Sequence, residues 1–235
     1  MRDAALPFAA AVPIADDLFL ARTDIRDVAA PPASHRALVR LLDCDYPRWA
    51  ASTSESFRAR FAATRRFAKA AVAGVAGVDV DDIALRRDRA GRPLFVTRDG
   101  VAAVADANLS HTGDAVVVAV STRGRVGVDI EAARRRLDHG GFAGAICHPD
   151  ELRRYHRCGH AGRNRMLLEV WTWKEATTKA MGTGLATAFP SLRTDPERRT
   201  VHAPRGERWR VYTAPGDGHH VAIARRSEED LSCTN

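Results

Sequence analysis

The order in which long helical patterns and hairpin turns follow one another constrains this fold more than any other sequence feature. One helical pattern runs from a serine cap (Ser52 or Ser54) to a glycine stop (Gly74 or Gly77). A second one, Asn164–Met181, has a broad apolar face and ends at a glycine pair. These two helices need sheet surfaces on which to bury their apolar faces.

Strand patterns and shorter elements surround the two helices. Strands are predicted at Val12–Arg22, Ala115–Val120, Val126–Ile130, Trp209–Thr213 and His220–Ala224. Shorter helices are predicted at Ala33–Leu42 and from Glu151, with turn-rich loops at Asp88–Pro93 and Asn108–Gly113. Because hairpins are mixed with long helices, the order favours an α+β fold over a doubly wound parallel sheet.

The chain divides into two strand-and-helix halves that meet near Thr122–Gly124. We place residues 1–122 in an N-terminal half and residues 123–235 in a C-terminal half. No low-complexity linker separates them, and their sequence similarity is too weak to establish a repeat.

Composition excludes several classes of protein. Of 235 residues, 45% are hydrophobic and 28% are charged, which is typical of a globular chain and not of a disordered one. The longest apolar run, Ala115–Val120, is far shorter than the roughly 20 residues of a membrane-spanning helix. The four cysteines, with no disulfide framework spacing, indicate a cytoplasmic protein with reduced thiols; they are Cys44, Cys147, Cys158 and Cys233.

The charge is positive and built almost entirely from arginine. The net charge is +7, and only three of the 36 basic residues are lysines: Lys69, Lys174 and Lys179. Such a balance favours anionic partners, but the arginines are dispersed and lack the aromatic interleaving of a single-strand platform. Since ammonium and guanidinium differ physically, the positions that remained lysine merit particular attention.

A pair of carboxylates lies on the strand Val126–Ile130 and its continuation. Asp129 and Glu131 are two residues apart, so their side chains share one face of a strand. Two neighbouring like charges repel unless a cation lies between them, and Mg²⁺ favours such oxygen ligands together with substrate phosphates. The alternative interpretation is a polar, solvent-facing side of a half-buried strand.

The helix Asn164–Met181 carries a second charged pair. Glu175 and Lys179 are spaced i, i+4 and face the same side of the helix. Alone, this spacing is typical of a surface ion pair; beside the acidic strand, it could supply a third oxygen ligand and a cation for phosphate.

Three further polar residues are, taken singly, typical of structural positions. His111 lies in the predicted loop Asn108–Gly113, Arg65 on the first long helix and Arg92 in a Gly-Arg-Pro turn. A zinc site is disfavoured, because the segment from Cys147 to His160 contains neither a Cys-x₂-Cys nor a His-x₃-His pair.

Together these motifs resemble the 4′-phosphopantetheinyl transferases. GVDIE (127–131) precedes WTWKEATTKAMGTGL (171–185), while NLSHTGD (108–114) and GRP (91–93) lie upstream in the order of the surfactin-synthetase-activating (Sfp-type) branch. The resemblance spans Phe57–Leu185, over half of the chain.

The resemblance implies a fold and a reaction. The fold would be α+β, with two similar halves related by pseudo-twofold symmetry and the active site at their junction, in the monomeric two-half form. The reaction would be Mg²⁺-dependent, with Mn²⁺ as an alternative metal. It would transfer the phosphopantetheine arm of coenzyme A to a serine of an apo acyl, peptidyl or aryl carrier protein, with release of adenosine 3′,5′-bisphosphate.

The resemblance also implies site residues. The metal ligands would be Asp129, Glu131 and Glu175. Lys179 would contact the coenzyme phosphates. Because the carrier serine must lose a proton, we also expect Glu175 to act as general base, directly or through a metal-bound water. Catalysis would thus rest on Asp129, Glu175 and Lys179. The further coenzyme contacts would be Arg65, Arg87, Arg89, Arg92, Asn108, Ser110 and His111. Position 92, often lysine in the family, is arginine here, and the role of Lys174 in the Lys-Glu pair stays open.

The rival hypothesis is a basic protein that binds nucleic acid or another polyanion and carries these motifs incidentally. The net positive charge fits a triply phosphorylated coenzyme and an acidic carrier protein better than it fits DNA. We therefore expect a cytoplasmic enzyme of polyketide or nonribosomal peptide biosynthesis, with no nucleic-acid or membrane partner. Its physiological carrier is not specified by the sequence.

Overall fold

A computed structural model of the chain describes residues 11–214 and 218–226, so Cys233 lies outside the described residues. The chain divides into two compact units. Unit 1 extends from residue 11 to Leu109 and includes Asp114–Arg123. Unit 2 comprises Ser110–Gly113 and the described residues from Gly124 onward.

Unit 1 contains a six-stranded sheet and three helices. Its elements are β1 (Val12–Ala15), β2 (Leu18–Asp24), α1 (His35–Leu42), α2 (Tyr46–Ala50), α3 (Glu55–Ala76), β3 (Ile83–Arg87), β4 (Pro93–Thr97), β5 (Ala103–Thr112, of which the residues from Ser110 onward are assigned to unit 2) and β6 (Ala115–Ser121). The strand order is β1-β2-β6-β5-β4-β3. The buried face of α3, including Phe67, Ala71 and Val72, packs with alternate valines of β6.

Unit 2 contains a five-stranded sheet and three helices. Its elements are β7 (Val126–Ala132), α4 (Phe142–Ile146), α5 (Pro149–Arg157), α6 (His160–Met181), β8 (Arg193–Asp195), β9 (Thr200–His202), β10 (Arg208–Ala214) and β11 (His219–Arg226). The strand order is β7-β11-β10-β9-β8. One side of α6, including Trp173, Ala176 and Ala180, packs on apolar residues of this sheet.

The two units repeat one topology. In each, a strand leads to a 22-residue helix, four antiparallel strands follow, and the last of these pairs with the first strand: β2 with β6, and β7 with β11. Each long helix ends at a left-handed glycine, Gly77 or Gly182, which closes the helix without the steric cost of a side chain. The repeat that sequence similarity did not establish is therefore present in the topology.

The α+β class predicted from the sequence is confirmed, as are the Ser54 cap and the glycine ends of both long helices. Two local predictions were wrong. The segment Val12–Arg22 forms a hairpin instead of one strand, and Asn108–Thr112 belongs to strand β5 instead of a loop. Within this part of β5 the side chains of Asn108 and Ser110 are buried, which turn propensity alone does not indicate. No helix within the described ranges is long and apolar enough to cross a membrane.

Candidate active site

The candidate active site of unit 2 is built where β7 lies against α6. A Cβ atom added at Gly127 would come closer than 3.0 Å to the Ala176 carbonyl oxygen and the Ala180 amide nitrogen. Only glycine therefore permits this approach of strand to helix. The contact fixes the backbone of Asp129 close to the helical turn that carries Glu175 and Lys179.

The ammonium group of Lys179 is the centre of the site. Its Nζ lies 2.7 Å from Asp129 Oδ1 and donates to Ser110 Oγ at 3.0 Å and to the Val128 carbonyl oxygen at 3.2 Å. Ser110 Oγ in turn donates to Asp129 Oδ1 at 2.9 Å. The predicted acidic strand, Ser-His segment and lysine helix thus meet at one carboxylate oxygen.

The second oxygen of Asp129 has a different environment. Asp129 Oδ2 is buried and has no hydrogen-bond partner among the described residues. An unpartnered carboxylate oxygen that is shielded from water is costly, because the desolvation of the charge is not repaid. This oxygen is therefore available to a ligand.

Glu131 is held by residues that the sequence analysis did not select. Its Oε1 accepts a hydrogen bond from Trp171 Nε1 at 2.8 Å and forms an ion pair with Arg135. The Arg135 guanidinium also lies over the Trp171 ring, 5.3 Å from its centroid. Both Asp129 and Glu131 are buried, so the alternative of a solvent-facing polar strand does not apply.

Glu175 carries an elevated pKa. Burial raises its pKa most, Lys179 opposes this rise, and the nearby carboxylates of Asp129 and Glu131 raise the pKa further. Its Oε2 is 4.0 Å from Lys179 Nζ, which is beyond hydrogen-bond distance. Glu175 is thus a carboxyl group in a negative environment that is incompletely neutralised.

The donor chemistry of these residues fits a divalent cation, although their side chains are not arranged around one. In residues 11–214 and 218–226, no group of three or more His, Cys, Asp or Glu side chains is placed to hold a metal ion. Glu131 is turned toward Arg135, and Asp129 shares one oxygen with Lys179. The unpartnered Asp129 Oδ2 and the raised pKa of Glu175 are nevertheless the features that a cation would relieve.

Two of the predicted coenzyme contacts meet in unit 1 at a carboxylate that sequence reasoning missed. Asp45 is buried; its Oδ2 lies 2.8 Å from Arg65 Nε and its Oδ1 lies 2.7 Å from Arg87 Nε. Burial raises the pKa of Asp45, but the hydrogen bonds and charges of Arg87 and Arg65 outweigh it and hold the pKa below its usual value. Arg65 also lies on the Phe61 ring, 3.9 Å from its centroid. Two arginines on one aspartate leave this cluster positively charged.

The remaining predicted residues occupy varied environments. Arg92 is buried and forms an ion pair with Asp106, whereas Arg89 is exposed in the turn between β3 and β4. Asn108 is buried in β5, and His111 is exposed near the end of the same strand. No sequence periodicity links Asp45 to Arg65 and Arg87, which are 20 and 42 residues away.

Lys174 lies in the core, not at this site. It is fully buried and paired with Glu151. In the histidine- and cysteine-rich segment, His148 caps α5 and accepts a hydrogen bond from the Asp150 amide at 3.2 Å.

Two family models match this chain, one over most of each unit. Residues 125–224 match the model of the 4′-phosphopantetheinyl transferase superfamily. Residues 54–123 match the model of the 4′-phosphopantetheinyl transferase N-terminal region. The two matches together cover more than half of the chain and contain all of the predicted site residues.

Two relatives support the same assignment. The 4′-phosphopantetheinyl transferase HetI of Nostoc sp. is 27% identical over 129 residues, which cover 55% of this chain and 54% of HetI. The 4′-phosphopantetheinyl transferase AcpT of Escherichia coli is 35% identical over 75 residues, which cover 32% of this chain and 38% of AcpT. The chain thus spans about half the length of HetI and a smaller share of AcpT. From the two family matches and the topology that both units share, we conclude that this chain belongs to the 4′-phosphopantetheinyl transferase superfamily.

Proposed function

We propose that this protein transfers the 4′-phosphopantetheine arm of coenzyme A to a serine hydroxyl of an apo carrier protein. The observation that carries the proposal is the convergence of Lys179 on Asp129, with Glu175 on the same helical face. A cation and two carboxylates at one point suit the handling of a pyrophosphate more than the binding of a neutral substrate.

The proposed transfer makes one bond and breaks one. The serine oxygen attacks the β-phosphorus of coenzyme A, and the bond from that phosphorus to the bridging oxygen breaks. Adenosine 3′,5′-bisphosphate leaves with the electron pair of the broken bond. Negative charge grows on the bridging and equatorial oxygens, and the Lys179 ammonium, oriented by Asp129 and Ser110, would stabilise it.

The serine proton needs an acceptor, and we assign this role to Glu175, directly or through a water molecule. Its raised pKa makes the carboxylate a stronger base than an ordinary glutamate. Successive side chains are rotated by about 100° around a helix axis, so Glu175 can face the site although the preceding Lys174 faces the core.

We propose that Asp129, Glu131 and Glu175 hold Mg²⁺, with Mn²⁺ as an alternative. For Glu131 to take part, its carboxylate would have to exchange Arg135 for the metal. When bound, the metal would neutralise charge on the phosphoryl oxygens of the coenzyme. Asp129 contributes the oxygen that lacks a partner among the described residues.

We further propose that the positive cluster of unit 1 contacts the coenzyme. Arg65 and Arg87 share the single charge of Asp45, so an anion such as a phosphate would meet a net positive group. The other proposed coenzyme contacts are Arg89, Arg92, Asn108, Ser110 and His111.

The proposed acceptor is an acidic acyl, peptidyl or aryl carrier protein. The net charge of +7 would attract such a partner as well as the coenzyme. We propose membership of the Sfp-type branch, action as a monomer in the cytoplasm, and a role in polyketide or nonribosomal peptide biosynthesis.

A metal-dependence assay tests the proposed function. Incubation with coenzyme A, Mg²⁺ and an apo carrier protein should release adenosine 3′,5′-bisphosphate in an amount equal to the carrier modified, measured by chromatography. Chelation of the metal should stop the release, and added Mg²⁺ or Mn²⁺ should restore it, because the carboxylates would otherwise repel the pyrophosphate.

The control is an equal incubation with a carrier whose acceptor serine is replaced by alanine, which should release no adenosine 3′,5′-bisphosphate. Release that continues at the same rate in excess chelator would contradict the metal assignment. Retention of the chain on nucleic acid without any release would favour the rival polyanion-binding protein.

A further inference from the structure

Lys174 forms a fully satisfied ion pair in the core of unit 2. Its Nζ lies 2.6 Å from Glu151 Oε2 and donates to the carbonyl oxygens of Ile146 at 2.8 Å and Phe189 at 2.9 Å. These three acceptors match the three N–H bonds of an ammonium group. Lys174 and Glu151 are both essentially inaccessible to solvent.

Glu151 extends this ion pair to other elements of the unit. Its Oε2 accepts a hydrogen bond from the His148 amide at 2.7 Å, which completes the capping box of α5. Its Oε1 accepts one from the Thr194 amide of β8, also at 2.7 Å. The hydrogen bonds of this buried pair thus connect α6 with the end of α4, the start of α5, the segment after α6 and strand β8.

Unit 1 contains an equivalent arrangement. Lys69 Nζ lies 2.6 Å from Asp43 Oδ2 and donates to the Arg40 carbonyl oxygen at 2.9 Å. Asp43 Oδ2 accepts a hydrogen bond from the Leu85 amide at 2.8 Å. Leu85 lies in β3, the first strand after α3, just as Thr194 lies in β8, the first strand after α6. Lys69 is the fifteenth residue of the 22-residue α3, and Lys174 is the fifteenth of the 22-residue α6.

The two helices differ at the positions that face the candidate site. Glu175 and Lys179 are the sixteenth and twentieth residues of α6, whereas α3 has Ala70 and Gly74 at those positions. The buried lysine is therefore common to both units, and the charged pair of the site belongs to α6 alone. A shared feature of this kind belongs to the framework on which the site is built.

We infer that Lys174 is a positioning residue: its buried pair with Glu151 fixes the rotation and axial position of α6, and thereby sets Glu175 and Lys179 against Asp129. This inference rests on the proposed function for its effect on transfer. The retained lysines support it, since a planar guanidinium does not match three acceptors around a compact ammonium.

The test compares Lys174→Met with Lys69→Met, the same substitution at the same position of the other long helix. Both variants should unfold at lower urea concentrations, because each removes a buried lysine from its carboxylate. The loss should be larger for Lys174→Met, since Glu151 is buried whereas Asp43 keeps its ion pair with Arg98. Only Lys174→Met should lower kcat of the folded fraction, by about 100-fold, the effect of a displacement of ~1 Å at the reacting groups. Lys69→Met should keep kcat at saturating coenzyme A.

Two further variants and an independent measurement complete the design. Lys174→Arg should fail to restore kcat, and Glu151→Gln combined with Lys174→Met should recover stability without recovering kcat. Hydrogen exchange followed by mass spectrometry should be faster across α6 and β7 in folded Lys174→Met, and faster across α3 in Lys69→Met.

The outcomes separate the two proposals. Full kcat in the folded fraction of Lys174→Met, or unchanged exchange across α6, would overturn the positioning role. If the unmodified chain itself transfers nothing, the proposed function fails, and hydrogen exchange alone then decides whether Lys174 positions α6.

Discussion

Asp129→Asn should lower transfer by about 10²–10³-fold, the loss that follows removal of one preorganised electrostatic group from an active site. The substitution keeps the shape of the side chain but removes its charge. In the unmodified chain this charge orients Lys179, whose Nζ lies 2.7 Å from Asp129 Oδ1. It also replaces one carboxylate oxygen with an NH2 group and removes the negative charge from the other. Both changes weaken the proposed binding of the metal, which we assign to the unpartnered Oδ2. Initial rates at saturating coenzyme A and carrier protein measure the effect.

The matched control is Asp138→Asn in the same unit. Asp138 also pairs with an arginine, but its partner Arg136 is largely exposed, and neither residue belongs to the candidate site. This control should retain the activity of the unmodified chain. Urea unfolding should show that Asp129→Asn costs about 1 kcal/mol or less, because Lys179 is one-quarter exposed and can be hydrated. Unchanged transfer by Asp129→Asn would remove Asp129 from the site.

Gly127→Ala should destabilise the protein by about 3 kcal/mol, at the upper end of the cost of overpacking. The added methyl group would meet the backbone of α6 at Ala176 and Ala180, closer than 3.0 Å. Backbone atoms in the middle of a helix cannot rotate away as a side chain can, so the whole helix must shift from β7. We therefore expect a lower free energy of unfolding and, in the protein that still folds, a loss of transfer.

Gly144→Ala is the control for this prediction. Gly144 lies within α4, and a Cβ atom added there would meet nothing within 4 Å. Because alanine favours a helix over glycine by about 1 kcal/mol, this variant should be as stable as the unmodified chain or slightly more stable. Equal unfolding midpoints for Gly127→Ala and Gly144→Ala in urea would show that the strand and helix do not approach this closely.

The long helices could be predicted because their signals are local. Ser54 accepts a hydrogen bond from the Phe57 amide at the start of α3, and a left-handed glycine ends each long helix, as the sequence indicated. The strands β3, β4, β8 and β9 were not predicted. They are short, and β3 ends in two arginines whose polarity hides the strand pattern.

The sequence indicated which of the candidate side chains share a face, but not which contacts they make. The spacing of Glu175 and Lys179 on a helix, and of Asp129 and Glu131 on a strand, indicated which side chains share a face. It could not indicate that Glu131 is turned to Trp171 and Arg135, or that Arg65 and Arg87 meet at Asp45. Those contacts join residues distant in sequence, and they depend on tertiary packing.

The scarcity of lysine marked important positions but did not distinguish their roles. Lys69 and Lys174 are core residues paired with Asp43 and Glu151, whereas Lys179 is partly exposed beside Asp129. Lys174 and Lys179 are five residues apart, so they point to different sides of α6. The sequence placed both near one turn, and the buried partner Glu151 reveals that they serve different purposes.

The mass of an apo carrier protein after incubation with this chain, coenzyme A and Mg²⁺ tests the central claim most directly. Intact-protein mass spectrometry should show a gain of one phosphopantetheine group per carrier, located on its acceptor serine. The gain should be absent with Asp129→Asn on the same timescale. An unchanged mass across acyl, peptidyl and aryl carrier proteins, with the chain folded and the metal present, would contradict the account.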